Sequence, residues 1–159
     1  MKYFLDCEFN GYRGELISMA LVAEDGRELY LVTHRLPETI PWVKENVIPI
    51  LFAEGADAAT SWRVDLWGHQ IAKFMHDDLA PVIIADWPDD IRYFCECLIT
   101  GPGEMVDIPR DREGGIELVV ERVDAYPTDL PGAVQHNALW DARALQAKLA
   151  LSNGDRQSG

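Results

Sequence analysis

Two groups of residues at opposite ends of the chain carry side chains suited to metal chemistry. Asp6 and Glu8 lie two positions apart near the start of the sequence, and His136 and Asp141 lie five positions apart far downstream. If the fold brings these groups together, three carboxylates and an imidazole would surround divalent cations. Sites of this composition usually cleave phosphodiester bonds, so the pattern predicts a metal-dependent hydrolase.

The acid pair follows a short apolar segment that predicts a first strand over Lys2 to Asp6. Residues i and i+2 of a strand point to the same face, so Asp6 and Glu8 would present their carboxylates together. Two anions this close repel each other unless a cation bridges them, and magnesium and manganese prefer such oxygen ligands. A solvated strand end could carry the same two acids, so the pair does not decide the question alone.

A second acidic segment, Asp86-Trp87-Pro88-Asp89-Asp90, follows the apolar run Pro81 to Ala85. Such a run is typical of a strand inside a parallel sheet, and ligands of α/β proteins gather at the carboxyl ends of these strands. Asp89 and Asp90 also suit the start of a helix, where negative charge is favourable. Ligation and helix capping therefore both remain open for this segment.

The downstream group surrounds a predicted helix start. Asn137 is a suitable N-cap, which leaves His136 just before the helix and Asp141 roughly one turn inside it. Both side chains could then lean toward one point above the sheet. The pKa of histidine lies near neutral pH, so His136 beside an activated water is a candidate general base.

The elements that must position these residues alternate along the chain. Asp25-Gly26 joins two apolar segments, Glu15 to Ala23 and Glu28 to Val32, and predicts a hairpin after the first strand. Further elements are predicted as helices over Pro41 to Leu51, Asp65 to His76, the segment after Ala85 and Ala138 to Leu149, and as strands over Pro81 to Ala85 and Ile116 to Val123. This order predicts an α/β fold with a mixed central sheet, three antiparallel strands followed by parallel strands, flanked by helices.

The length of 159 residues predicts one domain over residues 1–151 and a polar tail over 152–159. No apolar run approaches the roughly 20 residues that span a bilayer, and an acidic residue at position 6 disfavours a signal peptide. We therefore expect a cytoplasmic protein without a membrane partner. The three cysteines, Cys7, Cys95 and Cys97, predict reduced thiols, because their count is odd and Cys95-Glu96-Cys97 lacks the spacing of a zinc site.

The net charge of -13 restricts the substrates of a nuclease. Proteins that track nucleic-acid backbones normally neutralise phosphates with lysine and arginine, and this surface should repel long polyanions. Bound divalent cations would reverse the sign only locally. The charge therefore favours a short or single-stranded substrate that is held mainly at its end.

In combination, the acid pair on the first strand, the acidic segment after a middle strand and the His-x4-Asp pattern at the last helix resemble a known superfamily. They resemble the DEDD 3'-to-5' exonucleases, in the DEDDh branch that includes oligoribonuclease, ribonuclease T and the proofreading exonuclease of DNA polymerase III. The resemblance extends from Asp6 to Asp141. The compact length and the segment Ala85 to Asp90 are most similar to the small Rv2179c-like 3'-to-5' exoribonuclease group.

The resemblance implies a ribonuclease H-like sheet and a site with two magnesium or manganese ions. It implies general-base catalysis by His136 and metal ligation by four acids, namely Asp6, Glu8, Asp90 and Asp141, with Asp86 as the alternative to Asp90. The second motif of the family usually reads His-Asn-x-x-Phe-Asp. This chain lacks the His-Asn pair and the aromatic residue, so the choice among Asp86, Asp89 and Asp90 stays open.

The implied activity is removal of nucleoside 5'-monophosphates from the 3' end of short or single-stranded RNA. We predict substrate contacts for Phe9, Asn10 and Asn137, with Phe9 either stacking on a base or serving as a core residue. Trp42, Trp62 and Trp67 are expected to be core or subunit-contact residues. By analogy with relatives, a homodimer is the oligomeric state to consider.

Three other functions compete with this hypothesis. A metal-independent hydrolase with paired carboxylates, as in glycosidases, would leave His136 and Asp141 unexplained. A catalytically weak DEDD-like module could bind nucleic-acid ends, and an exonuclease of the same fold could act on DNA. The preference for RNA depends on recognition of the 2'-hydroxyl, to which no residue can be assigned from the sequence.

Overall fold

A mixed sheet of six strands forms the centre of the protein in this computed structural model, which describes residues 1–57, 59–108, 115–122 and 130–156. The strand order across the sheet is β4-β3-β2-β1-β5-β8. The strands are β1 Lys2–Phe9, β2 Leu16–Ala23, β3 Glu28–Thr33, β4 Ala59–Trp62, β5 Val82–Ala85 and β8 Glu117–Val120. A separate two-stranded hairpin consists of β6 Ile99–Gly101 and β7 Glu104–Met105.

The first three strands are antiparallel, whereas β4 pairs with β3, β5 with β1 and β8 with β5 in parallel. Helices lie on both faces of the sheet. They are α1 Pro41–Asn46, α2 Trp67–Phe74, α3 Pro88–Leu98 and α4 Ala138–Arg156, with 3-10 turns at Ile48–Ile50 and Val64–Leu66. This confirms the predicted α/β class and mixed sheet, an arrangement compatible with a ribonuclease H-like fold.

The sheet separates two hydrophobic cores. Tyr3, Leu5 and Cys7 of β1 belong to the core that α2 and α3 cover. Phe4 belongs to the opposite core, which contains residues of α1 and α4. Because side chains alternate along a strand, Asp6 and Glu8 follow Phe4 onto the face that α4 covers. The period of the first strand thus determines which helix meets the acid pair.

Several elements differ from their predicted bounds. β1 extends through Phe9, so the acid pair lies within the strand instead of at its tip. The strand β4 and the hairpin β6–β7 were not predicted. The predicted first helix ends at Asn46, and α4 continues through Arg156 beyond the predicted end at Leu149. Residue 123 of the predicted last strand and residues 157–159 of the predicted tail lie outside the described residues.

The structure also gives the state of the cysteines and the character of the helices. The three cysteines form no disulfide with one another. Among the described residues, no helix has both the length and the apolar character needed to cross a bilayer.

Candidate active site

An acidic cleft of about 480 Å³ opens where β1 and β5 end and where α3 and α4 begin. Its walls include all of the residues predicted to act as metal ligands except Asp86. The cleft is lined by Asp6, Cys7, Glu8, Phe9, Gly11, Ile40, Trp42, Val43, Trp87, Asp90, His136 and Asp141. Residues separated by more than 130 positions in sequence thus meet in one cleft.

Strand register brings the first strand and the second acidic segment together. In the parallel pairing of β1 with β5, Phe4 lies opposite Ile84, two residues before Asp6 and Asp86 respectively. Asp90 follows in the first turn of α3 and is 2% exposed. Carboxylate oxygens of Asp6, Asp86 and Asp90 all lie within 4.8 Å of one another. We call these three residues the strand group.

The start of α4 supplies the rest of the cleft. Glu8, His136 and Asp141 each offer an oxygen or ring nitrogen within 4.8 Å of the others. We call them the helix group. The backbone N–H of His136 donates to Asp141 Oδ2 at 2.9 Å, so the carboxylate also fixes the residue that precedes the helix. His136 has a φ of 66°, a left-handed conformation that is uncommon outside glycine and is often found at functional sites.

Asn137 anchors this turn to the body of the protein. Its side-chain oxygen accepts a hydrogen bond from the Trp140 backbone at 3.2 Å, as expected for an N-cap. Its amide nitrogen lies 2.7 Å from the Ile50 carbonyl and 3.3 Å from the Leu51 carbonyl. The Tyr30 hydroxyl donates to the Leu51 carbonyl at 2.9 Å and extends the network to β3. The neighbouring His136 and Asp141 are therefore held against a rigid part of the fold.

The carboxylates of the cleft are energetically costly in the absence of a cation. Burial, followed by repulsion from Asp90 and Asp141, raises the pKa of Asp6, and burial and the same two acids raise the pKa of Glu8. Burial and the neighbouring Asp86 raise the pKa of Asp90 to about 8. The pKa of a carboxyl group is expected to rise when it shares a buried site with other negative charges.

Two orphaned oxygens indicate what would relieve this cost. Asp6 Oδ2 and Asp90 Oδ2 are buried without a hydrogen-bond partner among the described residues. Buried polar atoms normally have partners, so each such exception requires an explanation. A set of carboxylate oxygens with one imidazole fits hard divalent ions such as magnesium or manganese. The residues present therefore fit the metals that the sequence predicted.

His136 has the properties of a proton acceptor. Burial lowers its pKa, which keeps the ring neutral at a lower pH than an exposed histidine. The His136 and Trp42 rings pack edge to face, with their centroids 5.0 Å apart. The ring also lines the cleft, so it can accept a proton from a water beside the carboxylates.

The three acids of the second acidic segment have different surroundings. Asp89 lies outside both groups, since its carboxylate accepts hydrogen bonds from Trp87 Nε1 at 3.2 Å and Arg92 Nε at 3.0 Å. Asp86 and Asp90 both join the strand group, so the geometry makes them joint candidates instead of alternatives.

The three predicted substrate contacts have different surroundings. Phe9 lines the cleft and also packs on Tyr93, with ring centroids 4.9 Å apart. Asn10 binds the backbone of a neighbouring segment at both ends of its amide, donating to the Glu38 carbonyl and accepting from the Ile40 N–H, each at 2.9 Å. Asn137 is fully buried, so it would have to leave its network to contact a substrate.

Two tryptophans of the cleft were missed by the sequence reasoning. Trp42 is 50% exposed and lines the cleft beside His136, so it is not a core residue, and the alternative of a subunit contact stays a prediction. Trp87 received no role, yet it is 47% exposed and lines the same cleft. The sequence did contain a signal for Trp87, because this residue directly follows Asp86 in the acidic segment. Trp67 is fully buried, as expected for a core residue, and Trp62 packs partly buried against the same core.

Comparison with known proteins gives a limited but specific result. No family model matches the chain. The chain is 49% identical over 55 residues to "3'-5' exoribonuclease Rv2179c" and to "3'-5' exoribonuclease MT2234.1", both from Mycobacterium tuberculosis. The match spans about a third of the length of these curated relatives and 32% of this chain. Over that segment, the chain is related to proteins named 3'-5' exoribonuclease.

Proposed function

We propose that the protein is a metal-dependent 3'-to-5' exoribonuclease of the DEDDh type. It removes nucleoside 5'-monophosphates from the 3' end of short or single-stranded RNA. The observation that carries the proposal is the meeting of the strand group and the helix group in one cleft, with two buried carboxylate oxygens left without hydrogen-bond partners among the described residues. The similarity to proteins named 3'-5' exoribonuclease supports the choice of RNA and of the 3' end.

The carboxylates have a holding role. Two magnesium or manganese ions would be bound by five carboxylates, those of Asp6, Glu8, Asp86, Asp90 and Asp141. When bound, such ions activate a water molecule and neutralise the charge that develops on the reacting phosphate. The fold supplies the positions of these carboxylates in advance, because β1, β5, α3 and α4 each fix at least one of them.

His136 has a different task from the carboxylates. Its neutral ring accepts the proton of the attacking water as the water adds to the terminal phosphodiester. The backbone contact with Asp141 and the capping network of Asn137 hold the ring in place. The bond between phosphorus and the 3' oxygen of the preceding nucleotide breaks, that oxygen takes up a proton from solvent, and the terminal nucleotide departs with the phosphate on its 5' oxygen.

The charge of the protein defines how the substrate is held. With a net charge of -13, the surface offers little attraction to an extended backbone, so affinity must come from the end of the strand. Phe9, Trp42 and Trp87 line the cleft and provide aromatic surfaces for bases. Stacking of this kind tolerates every base, which favours a nuclease with little sequence preference.

The proposal is tested with a 5'-labelled RNA of about ten nucleotides, a DNA of the same sequence, and manganese or magnesium. We expect RNA products that shorten one nucleotide at a time, with nucleoside 5'-monophosphates identified by chromatography. EDTA should abolish the reaction, and Asp6→Ala should abolish it without unfolding the protein. Asp65→Ala is the matched control, because Asp65 is an exposed acid paired with Arg63 and does not line the cleft.

Each alternative outcome has a distinct meaning. Activity that survives EDTA would exclude the metal-dependent mechanism. Equal or greater activity on DNA would exclude the assignment as a ribonuclease while leaving the exonuclease assignment intact. Internal cleavage products would exclude an exonuclease.

A further inference from the structure

Trp87 and Arg122 form a pair at one wall of the acidic cleft. The Arg122 guanidinium lies over the Trp87 ring, 4.8 Å from its centroid. Trp87 lines the cleft and is 47% exposed, so much of its ring surface is accessible. An aromatic face with an arginine against it is a combination that binds single-stranded nucleic acid by stacking and by charge.

The described arginines differ in whether a carboxylate pairs with them. Four of them, Arg27, Arg63, Arg92 and Arg143, pair with carboxylates. Arg122 has no salt bridge to any carboxylate among the described residues. It lies over Trp87, which directly follows Asp86 of the strand group. A guanidinium in this position is available to a phosphate.

The position of His136 indicates how the substrate is oriented in the cleft. His136 belongs to the helix group, so a water that gives it a proton approaches from that side. In an in-line displacement, the leaving oxygen lies opposite the attacking water. The leaving 3' oxygen therefore lies toward the strand group, where Trp87 directly follows Asp86. That oxygen belongs to the nucleotide immediately upstream of the one that is released.

We propose that Trp87 and Arg122 bind this upstream nucleotide, Trp87 by stacking on its base and Arg122 by contacting its 5' phosphate. The assignment rests on the exonuclease function proposed above and specifies where the remaining strand is held. It implies that two nucleotides at the 3' end contribute most of the affinity. A strand too short to carry an upstream base and phosphate would bind weakly.

A binding experiment with the intact protein and manganese tests this assignment. The probe is a fluorescent RNA hexamer in which a methylene group replaces the 3' bridging oxygen of the terminal linkage, so that this oxygen cannot leave. A second hexamer also lacks the penultimate base. Fluorescence anisotropy gives Kd for both RNAs with the wild-type protein and with Trp87→Ala, Trp87→Phe, Arg122→Ala and Arg63→Ala.

We expect the wild-type protein to bind the intact hexamer about tenfold more tightly than the abasic one, a typical gain from stacking one base. Trp87→Ala should bind both RNAs equally, whereas Trp87→Phe should retain most of the difference because it keeps an aromatic face. Arg122→Ala should lower the slope of log K against log salt by about 0.7, the loss of one phosphate contact on a single strand. Arg63→Ala removes the same charge at an exposed ion pair outside the cleft and should leave the slope unchanged.

A tenfold preference for the intact hexamer that persists in Trp87→Ala would overturn the assignment, as would an unchanged salt slope in Arg122→Ala. Failure of the wild-type protein to bind either RNA would overturn it as well. The assignment and the proposed function fail separately. Base discrimination that depends on Trp87, in a protein that releases no monophosphates, would support the binding site and reject the exonuclease. Monophosphate release without discrimination would do the reverse.

Discussion

The substitution Asp90→Asn should stabilise the metal-free protein while destroying its activity. Asp90 is almost fully buried and shares the strand group with Asp6 and Asp86, so folding forces like charges together. Asparagine keeps the shape of the side chain and removes the charge. It also removes a predicted metal ligand, so the same change should abolish exonuclease activity.

The magnitude follows from the pKa of Asp90. Burial and Asp86 raise it from 3.8 to about 8. A carboxyl whose pKa is raised in the folded state contributes stability that is fully present below pH 3.8 and is lost as the pH rises through 8. At 1.36 kcal/mol per pKa unit, the loss at pH 7 is about 4 kcal/mol. Asparagine avoids this loss but must bury an amide, so we expect a net gain of about 3 kcal/mol in the free energy of unfolding.

Thermal unfolding in EDTA at pH 5 and pH 8 measures the effect. At pH 8 the same arithmetic gives a loss of about 5 kcal/mol and a net gain of about 4 kcal/mol, which corresponds to a rise in Tm of about 12 °C for a chain of this size. The rise should be large at pH 8 and small at pH 5, where Asp90 is already protonated in the wild-type protein. Manganese should raise the Tm of the wild-type protein by mass action and should raise that of Asp90→Asn much less.

Asp65→Asn is the control for this experiment, because it removes the charge of an exposed acid that is paired with Arg63 and lies outside the cleft. It should leave Tm unchanged or slightly lower. A lower Tm for Asp90→Asn in EDTA at pH 8, or a shift that is the same at both pH values, would refute the reasoning that repulsion in the cleft destabilises the metal-free fold.

Three further substitutions test other parts of the site. His136→Ala should lower kcat at least about 100-fold, and the wild-type pH profile should rise through a midpoint below the ordinary histidine value, since burial lowers the pKa of His136 and the base acts when neutral. An unchanged profile in the variant would contradict that role. Asn137→Ala should lower the free energy of unfolding by about 2 kcal/mol, through loss of the cap and of a buried donor; an unchanged urea midpoint would show that the network is dispensable. Gly14→Ala should distort the loop after β1, because its Cβ would lie 1.9 Å from the Asn10 carbonyl oxygen; a wild-type Tm and KM would contradict this.

The parts of the fold that the sequence predicted are those with local signals. The hairpin of β2 and β3 has apolar strands on either side of Asp25-Gly26, and the structure has its turn at that position. The start of α3 was marked by Asp89 and Asp90 and that of α4 by Asn137, residue types that favour a helix start. Where a turn or a cap specifies the element, one sequence is sufficient to predict it.

The missed elements depend on contacts between distant residues. β4 is a four-residue strand that pairs with β3 in parallel, and nothing in Ala59–Trp62 alternates strongly enough to predict it. The hairpin of β6 and β7 is also short, with strands of three and two residues. Short strands are stabilised by their partners, which a single sequence does not specify.

The candidate site likewise has features that local sequence predicts and features that depend on contacts between distant residues. The alternation of β1 placed Asp6 and Glu8 on one face, where both line the cleft, because a strand period is a local property. The inclusion of both Asp86 and Asp90 required the register of β1 against β5 and the direction of α3, which only the folded structure gives. The contribution of Trp42 depended on how α1 packs near His136, and no local pattern predicts that contact.

The position of α4 in the chain has a consequence for the timing of activity during protein synthesis. A ribosome produces β1 and its two acids first, and α4 with His136 and Asp141 more than 120 residues later. Until α4 docks on the sheet, a nascent chain has an acid pair without its base. Under the function proposed above, a chain that emerges beside messenger and ribosomal RNA stays inactive until α4 docks, and any later detachment of α4 would remove His136 and Asp141 from the site.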